Sequence, residues 1–191
     1  MYPISRCSQR LALRELAPED TDAVFAIYGS PEATEHLSFE PRSHDQVHEI
    51  LVRSMSSAQA DPRGEYALAV VERASSELIG FGRLATDPHQ PRGATFGFAL
   101  PPAVWGRGYG TETVQLLLGL GFQELGLHRI WGARSPLNEA SARTMRTAGM
   151  TEEGRIREHV YKAGAWRDSI IHAIIDHEWQ TVSARKGPAG A

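Results

Sequence analysis

Cysteine is nearly absent from this sequence: Cys7 is the only one among 191 residues. A single cysteine cannot form a disulfide within the chain, so packing and hydrogen bonds must hold the fold. This scarcity is typical of proteins from a reducing compartment. We therefore expect a cytoplasmic protein in which this thiol takes no part in the chemistry.

Long apolar runs and a large excess of charge of one sign are also missing. The first thirty residues carry several arginines and no long apolar stretch, which predicts neither a secretory signal nor a membrane span. Twenty basic and 23 acidic residues give a formal net charge of -3 at pH 7, without a basic stripe of the kind that binds nucleic acid. We expect a soluble protein with neither nucleic acid nor membrane as its partner, and either a monomer or a homodimer.

The residues that are present suit one ordinary globular domain. Hydrophobic residues make up 41% of the chain, and the length is sufficient for one domain with its own core. No internal repeat, low-complexity stretch or linker divides the sequence. We predict a single domain over residues 1–191, with a core at about 10–180 and a frayed tail at about 185–191.

Hydrophobic periodicity places the secondary structure. Alternating and β-rich patterns predict strands over residues 10–16, 65–73, 77–86, 94–100 and 127–134, and a hairpin over 157–176 that turns at Ala163 and Gly164. Helical spacing predicts helices over residues 18–29, 43–60, 111–125 and 138–148. The three consecutive strands between 65 and 100 favour an antiparallel meander.

Residues 104–113 read VWGRGYGTET and place Gly106, Gly108 and Gly110 at alternate positions before a predicted helix. Glycine suits a tight turn or the close approach of a ligand to the backbone. The first turn of a helix leaves N–H groups unpaired, and the helix dipole adds attraction for an anion. A diphosphate is therefore the natural ligand of this turn, and a glycine-rich connection without any ligand is the alternative.

Two common nucleotide-binding motifs do not fit this stretch. A Walker A loop requires a Gly-Lys-Ser/Thr sequence, and no lysine is nearby. The dinucleotide fingerprint requires a third glycine where Thr111 stands, within a parallel βαβ unit, whereas this stretch follows antiparallel-looking strands.

The segment over residues 105–150 resembles the core of the GCN5-related N-acetyltransferases. Their pyrophosphate signature is Gln/Arg-x-x-Gly-x-Gly/Ala at a helix start, and Trp105 stands here in the Gln/Arg place. The stretches SPLNEASARTMRTAGM and REHVYKAGAWRDSIIHAIID look like the Asn-x-x-Ser helix and the closing hairpin of the branch that acetylates ribosomal-protein N-termini (RimJ/RimL-like). The resemblance covers residues 11–179, and the combination of these motifs is more specific than any one of them.

The resemblance implies a fold and a cofactor site. The fold is α/β (α+β), with a mixed, mostly antiparallel sheet of about seven strands that is splayed in the middle and flanked by about four helices. Acetyl-CoA would enter the splay as co-substrate, its pantetheine arm along the strand at residues 95–100 and its pyrophosphate on the amides of the glycine stretch. The residues implied for cofactor binding are Phe98, Ala99, Leu100, Trp105, Gly106, Arg107, Gly108, Tyr109, Gly110, Thr111 and Asn138.

Two of these residues have a second interpretation. Asn138 is also well suited to be an ordinary helix N-cap, and the two roles can coexist. The side chain of Arg107 points either at phosphate or at solvent.

The implied reaction is direct attack of an uncharged primary amine on the thioester, with backbone amides of the splayed strand stabilising the oxyanion. Ser141 would form a hydrogen bond with the thioester sulfur. Many members of the family have a tyrosine, where Met145 stands here, to protonate the departing thiolate. Ser141, Tyr109 or a water molecule would take over that proton transfer.

An amine arrives mostly as ammonium near pH 7, so a general base is needed. Glu158 is the preferred base, because strand alternation would aim it at the cleft. The full set of candidates is Glu35, Glu40, Glu112, Glu158, His36 and His159.

The sequence leaves several amine acceptors open. The resemblance favours the α-amine of a protein N-terminus, and the alternatives are a small amine (antibiotic, amino acid or polyamine) or a non-catalytic CoA-binding regulatory module. The acyl group could also be longer than acetyl. His44 and His48 have the spacing of a zinc-binding pair, but no third ligand follows, so we expect a solvated helix face and no metal.

Overall fold

The computed structural model describes residues 2–185, and the predicted frayed tail lies outside the described residues except for Arg185. The strands are β1 (Ser5–Cys7), β2 (Leu11–Glu15), β3 (Glu65–Glu72), β4 (Leu78–Thr86), β5 (Gly93–Ala99), β6 (Arg129–Arg134), β7 (Thr151–Lys162) and β8 (Ala165–Ile175). The α-helices are α1 (Thr21–Tyr28), α2 (Pro31–Thr34), α3 (His44–Ala58), α4 (Tyr109–Gly119), α5 (Glu139–Thr147) and α6 (Asp176–Arg185). Helix α4 continues into a π-helical turn, Leu120–Glu124.

All eight strands form one sheet in the order β1-β2-β3-β4-β5-β6-β8-β7. Neighbouring strands are antiparallel except β5 and β6, which run parallel. This confirms the predicted mixed, mostly antiparallel sheet and the meander of β3, β4 and β5. The described chain has eight strands and six α-helices, more than the expected seven and four: the additional elements are α6 and two short segments, β1 with three residues and α2 with four. Segments of that length are too short to show a period.

Helices cover both faces of the sheet. On one face, a buried cluster joins Val24 and Ile27 of α1 to Val47 and Leu51 of α3. On the other face, apolar residues of α4 and α5 pack with residues of the central strands, with Leu117 among the largest fully buried side chains. The six inner residues of β3 are all buried, as expected for a strand that is covered on both sides.

Several local predictions are confirmed. The predicted helix start at residue 43 is confirmed, because Ser43 and Gln46 form a capping box at the start of α3, with Gln46 N donating to Ser43 Oγ at 3.2 Å. The β7–β8 hairpin turns at Ala163 and Gly164, whose φ angles of +52° and +75° fit a two-residue turn with both central residues left-handed.

The C-terminal part of the described chain differs from the sequence prediction. β7 begins at Thr151, not at residue 157, and α6 follows β8 without having been predicted. Trp179 of α6 stacks on Phe122 at 5.9 Å between ring centroids and is buried, which ties α6 to the layer of α4. Within residues 2–185, no helix is both long and apolar enough to span a bilayer.

Candidate active site

The sheet opens between β5 and β6. The parallel ladder joins only three residue pairs, from Gly93 with Arg129 to Thr95 with Trp131. On its other edge β5 stays paired with β4 as far as Ala99. Beyond Thr95, β5 therefore has a strand edge without a ladder partner on the side of β6. This gap leads into a cleft of about 990 Å³.

The turn over residues 106–110, called the glycine turn below, forms one wall of the cleft. Gly106 and Gly108 have φ angles of +74° and +81°, and Gly108 is the N-cap of α4. A Cβ at Gly106 would meet nothing within 4 Å, so the backbone conformation rather than space favours glycine there. The first turn of α4, which starts at Tyr109, has amides without an acceptor inside the helix.

Most of the predicted cofactor residues surround this one cleft. Its lining includes Phe98, Ala99, Leu100, Trp105, Gly106, Gly108, Tyr109, Gly110, Thr111, Asn138 and Ser141. Arg107 is the residue of the glycine turn that does not line it. Trp105 is half exposed, and its indole nitrogen donates to Leu100 O at 2.8 Å, which fixes the ring against the end of β5.

Arg10 contacts the glycine turn and fixes its backbone. It donates from Nη1 to Arg107 O at 2.9 Å, and its guanidinium lies 4.5 Å from the centre of the Tyr109 ring. The same guanidinium pairs with Glu112 at 2.7 Å, and Ser8 Oγ donates to that carboxylate at 2.6 Å. Burial raises the pKa of Glu112, but hydrogen bonds from Ser8 and Arg10 outweigh it, and the net pKa is lowered. Glu112 is thus an ionised structural partner outside the cleft lining and is poorly placed to be the general base.

The hydroxyl of Tyr109 donates to the Glu72 carboxylate. This hydrogen bond raises the pKa of Tyr109 and lowers that of Glu72. Although the ring of Tyr109 borders the cleft, its proton is held by Glu72. The geometry therefore does not favour Tyr109 as the acid that protonates a thiolate.

The β6–α5 connection brings Asn138 and Ser141 to the opposite wall. Asn138 is the N-cap of α5, as predicted, and its Oδ1 accepts from Ser141 N at 2.9 Å. Arg134, at the end of β6, donates to Ser135 O and Pro136 O and so fixes the backbone ahead of Asn138.

A buried histidine supports Arg134 in turn. Arg134 Nε donates to His172 Nε2 at 3.1 Å. Burial and the nearby Arg134 charge lower the pKa of His172, so its imidazole is neutral near pH 7 and can accept this hydrogen bond. Sequence reasoning missed this pair, because neither residue belongs to a motif.

The other end of the cleft is bordered by the segment after α1 and by the β7–β8 hairpin. Lys162 is buried and donates from Nζ to the carbonyl oxygens of Thr34 (2.5 Å), Glu35 (3.0 Å) and Leu37 (3.2 Å). Lys162 therefore fastens the hairpin to the segment after α1. Residues of this end that line the cleft are Tyr28, Glu32, His36, Ser38, Phe39, Arg83, His159, Val160, Arg167, Asp168 and Ser169.

The candidate bases differ in whether they line the cleft. His36 and His159 line the cleft, whereas Glu35, Glu40 and Glu158 are not part of its lining. Glu40 accepts from Ala163 N at 2.6 Å and so helps to hold the hairpin turn. The alternation expected to aim Glu158 at the cleft is interrupted by a register shift between Ile156 and Val160.

The histidine pair of α3 is not part of this site. His44 Nε2 lies 2.8 Å from Asp22 Oδ1 and 5.2 Å separates the His44 and Phe25 ring centroids. Over the stretch the structure describes, no cluster of three or more histidine, cysteine, aspartate or glutamate side chains is arranged to hold a metal ion.

Comparison with known proteins gives this architecture its family. The model of the acetyltransferase (GNAT) domain matches residues 10–151. An uncharacterized N-acetyltransferase of Bacillus subtilis (strain 168), YoaA, is 27% identical over 175 residues, 92% of this chain and 98% of YoaA. The chain therefore belongs to the GNAT family of acetyltransferases.

Solved structures agree on the fold. Mycobacterium smegmatis RimJ in complex with CoA-disulfide superposes with a TM-score of 0.79 at 22% identity, covering 93% of this chain and 90% of RimJ. Spermidine N-acetyltransferase from Vibrio cholerae in complex with CoA and spermine gives a TM-score of 0.78 at 22% identity, covering 90% and 98%. These neighbours show the fold, and the family match together with the N-acetyltransferase relative shows that the protein is an N-acetyltransferase of the GNAT type, whose family uses acetyl-CoA.

Proposed function

We propose that the protein transfers the acetyl group of acetyl-CoA to the α-amine of a protein N-terminus, by direct attack in a ternary complex. The observation that carries this proposal is the opened sheet. A free edge of β5 lies between a glycine turn suited to a diphosphate and a separate end of the cleft that can admit an acceptor.

The part of the cleft bordered by the end of β5, the glycine turn and the start of α5 is called the cofactor half here. Its residues suit acetyl-CoA. The edge of β5 at Phe98 and Ala99, with Leu100 directly after the strand, offers backbone groups to a pantetheine arm, which is itself an amide chain. The amides of residues 106–111 would bind the pyrophosphate, and the positive end of the α4 dipole adds to that attraction. Backbone donors suffice for this contact, so Arg107 can stay outside the lining.

Asn138 and Ser141 belong to the catalytic end of the same half. Asn138 uses Oδ1 for the helix cap, which leaves its amide NH2 free to donate to the cofactor. We assign to Ser141 the hydrogen bond to the thioester sulfur, which stabilises the thiolate as the carbon–sulfur bond breaks. Backbone amides of β5 stabilise the oxyanion of the tetrahedral intermediate.

The end of the cleft bordered by the segment after α1 and the β7–β8 hairpin is called the acceptor half here. Its charges favour an acceptor with one ammonium group. Two carboxylates, Glu32 and Asp168, line it together with Arg83 and Arg167. Asp168 is already paired with Arg155 at 2.5 Å. A polyamine requires several unpaired carboxylates spaced along its length, which this half does not provide within the described residues. A small monoamine remains the second candidate, supported by the same charge balance.

A thiol-release assay with acetyl-CoA tests this proposal. The acceptor panel contains peptides with a free α-amine, the same peptides with a blocked α-amine and one internal lysine, spermidine, and small monoamines. We expect turnover on free α-amines and little on the blocked peptides. Turnover confined to spermidine or small amines would replace the acceptor, and CoA binding without turnover on the panel would indicate a regulatory module.

A further inference from the structure

Strand β7 is interrupted where it passes the cleft. Ile156 is opposite Ser169 of β8, and Val160 is opposite Arg167, so the three residues 157–159 of β7 face the single residue Asp168. Two extra residues are thus inserted into β7. Such bulges bend a strand and re-aim its side chains, and they are over-represented beside active sites.

The bulge is built from specific contacts. Glu158 has a φ angle of +50°, in the left-handed region that is unfavourable for residues other than glycine. Asp168 holds this conformation, because its Oδ1 accepts from Glu158 N at 2.8 Å while Oδ2 accepts from Arg155 Nε at 2.6 Å. These two hydrogen bonds also lower the pKa of Asp168, so the anchor is a carboxylate at neutral pH. An unfavourable backbone conformation that specific contacts hold in place indicates a functional site.

The consequence of the bulge is the position of His159. His159 is one of the three residues of the bulge, and it lines the acceptor end of the cleft. Its Nδ1 lies 2.9 Å from Oγ of Ser169, which is buried on β8. When Nδ1–H donates to that oxygen, Nε2 carries the free lone pair and can accept a proton.

We propose that His159, aimed by the β7 bulge and oriented by Ser169, is the base that takes a proton from the acceptor ammonium. This inference rests on the proposed acetyl transfer and assigns to His159 the role that strand alternation predicted for Glu158. His159 would contact the acceptor amine and is therefore a catalytic residue, and Ser169 is a positioning residue. The other charged or titratable side chains lining this end are Glu32, His36, Arg83, Arg167 and Asp168.

The proton balance of the reaction is complete with these groups. His159 Nε2 removes one proton from the ammonium, and the freed lone pair forms a carbon–nitrogen bond with the thioester carbonyl. The carbon–sulfur bond then breaks, and its electron pair leaves on the CoA sulfur. The second proton of the attacking nitrogen ends on that sulfur, and His159 returns its proton to solvent.

The experiment measures kcat/KM for a free α-amine peptide at pH 7 and pH 9, in the wild type and in His159→Ala. A base contributes about 10²–10⁴-fold, and we expect a loss in that range at pH 7. The loss should shrink at pH 9, because a peptide α-amine with an ordinary pKa of about 8 is then mostly uncharged without help. Added imidazole should restore part of the activity at pH 7. His48→Ala, an exposed histidine on α3, is the matched control and should behave as wild type.

Ser169→Ala tests the positioning role. We expect a lower kcat with little change in the acceptor KM, and Ser169→Thr, which keeps the hydroxyl, should recover part of the activity. Calorimetry of CoA binding separates these effects from misfolding, because both variants should bind CoA like the wild type.

The outcomes for this inference and for the proposed function are distinct. If the wild type acetylates peptides and His159→Ala keeps wild-type kcat/KM at pH 7, the inference is overturned and the function stands. If Glu158→Gln loses activity while His159→Ala does not, the base is Glu158. Absence of wild-type turnover on every amine overturns both.

Discussion

Ser141 shows how far a single side chain can be interpreted from its place in the fold. Its amide nitrogen is fixed by Asn138, and Ser141 lines the cleft together with Met145, which stands where many members of the family have a tyrosine. We expect Ser141→Ala to lower kcat by about 10-fold or more while changing the dissociation constant of acetyl-CoA much less, since the lost hydrogen bond matters most as the thiolate forms. Steady-state kinetics and calorimetry measure both quantities. Ser56→Ala, exposed on α3, is the control, and wild-type kinetics in Ser141→Ala would remove Ser141 from this role.

Gly108 combines a conformational and an electrostatic requirement. It adopts φ +81°, and a Cβ placed there would lie 3.4 Å from Arg10 Nη2. Gly108→Asp adds a negative charge at the end of α4 that we assign to the diphosphate, and we expect the dissociation constant of acetyl-CoA to rise tenfold or more, about 1.4 kcal/mol.

Gly108→Asn is the matched variant, because it has the same size and a similar tolerance for positive φ but no charge. Calorimetry should show a smaller loss of affinity in this variant than in Gly108→Asp. Unchanged affinity in Gly108→Asp would mean that the diphosphate binds elsewhere.

Single residues also show where sequence reasoning reached its limit. The glycine turn and the Asn138 helix cap could be placed from the sequence because both are matters of backbone geometry, which leaves a motif in the sequence. Glu158 was preferred on strand alternation, which assumes an unbroken ladder. The bulge that interrupts it depends on Asp168, ten residues away on another strand, and no local pattern encodes that contact.

Glu112 joins two elements, the β1–β2 turn and the first turn of α4. Its carboxylate accepts from Ser8 Oγ and from Arg10, and its pKa is lowered in the fold. A group with a lowered pKa stabilises the fold above its unfolded pKa of about 4.3, and this stability is lost as pH falls through the folded value. Glu112→Gln should therefore cost about 1–3 kcal/mol at pH 7 and progressively less below about pH 4.

Urea unfolding of both proteins between pH 7 and pH 3 measures this difference. Glu49→Gln, on the exposed face of α3, controls for a change of net charge and should unfold like the wild type. A cost that is independent of pH would show that the carboxylate charge is not what holds α4 to the β1–β2 turn.

At the level of elements, the length of a segment decided how well it could be predicted. The long strands other than β7, and the helices α3, α4 and α5, were found close to their observed bounds, because each is long enough to show its period. The strand β1 and the helix α2 were missed for the opposite reason. Helix α6 was missed although it is ten residues long, because Trp179 and Val182 are its only large apolar residues and they are too few to show a helical period.

Across the whole molecule, the sheet has one of its two shortest ladders of backbone pairs at the boundary between strands β1 to β5 and strands β6 to β8. Only three residue pairs join the two parts through the sheet, and we place acetyl-CoA along the gap that follows. A ligand at one hundred times its dissociation constant adds about 2.7 kcal/mol, which raises Tm by about 5–11 °C in a domain of this size. Thermal unfolding with and without CoA measures this shift.

Gly108→Asp provides the control for that measurement. At the same CoA concentration this variant should show a clearly smaller rise in Tm, because its affinity is reduced. An equal rise in both proteins would place the stabilising contact away from the glycine turn.

The short parallel ladder between β5 and β6 also has a consequence for engineering. Substitutions that extend it past Thr95 would give a more regular and more heat-resistant sheet, yet they would close the gap in which we place acetyl-CoA. Screening this protein for thermal resistance alone would thus enrich inert variants. Selection should reward turnover after heating.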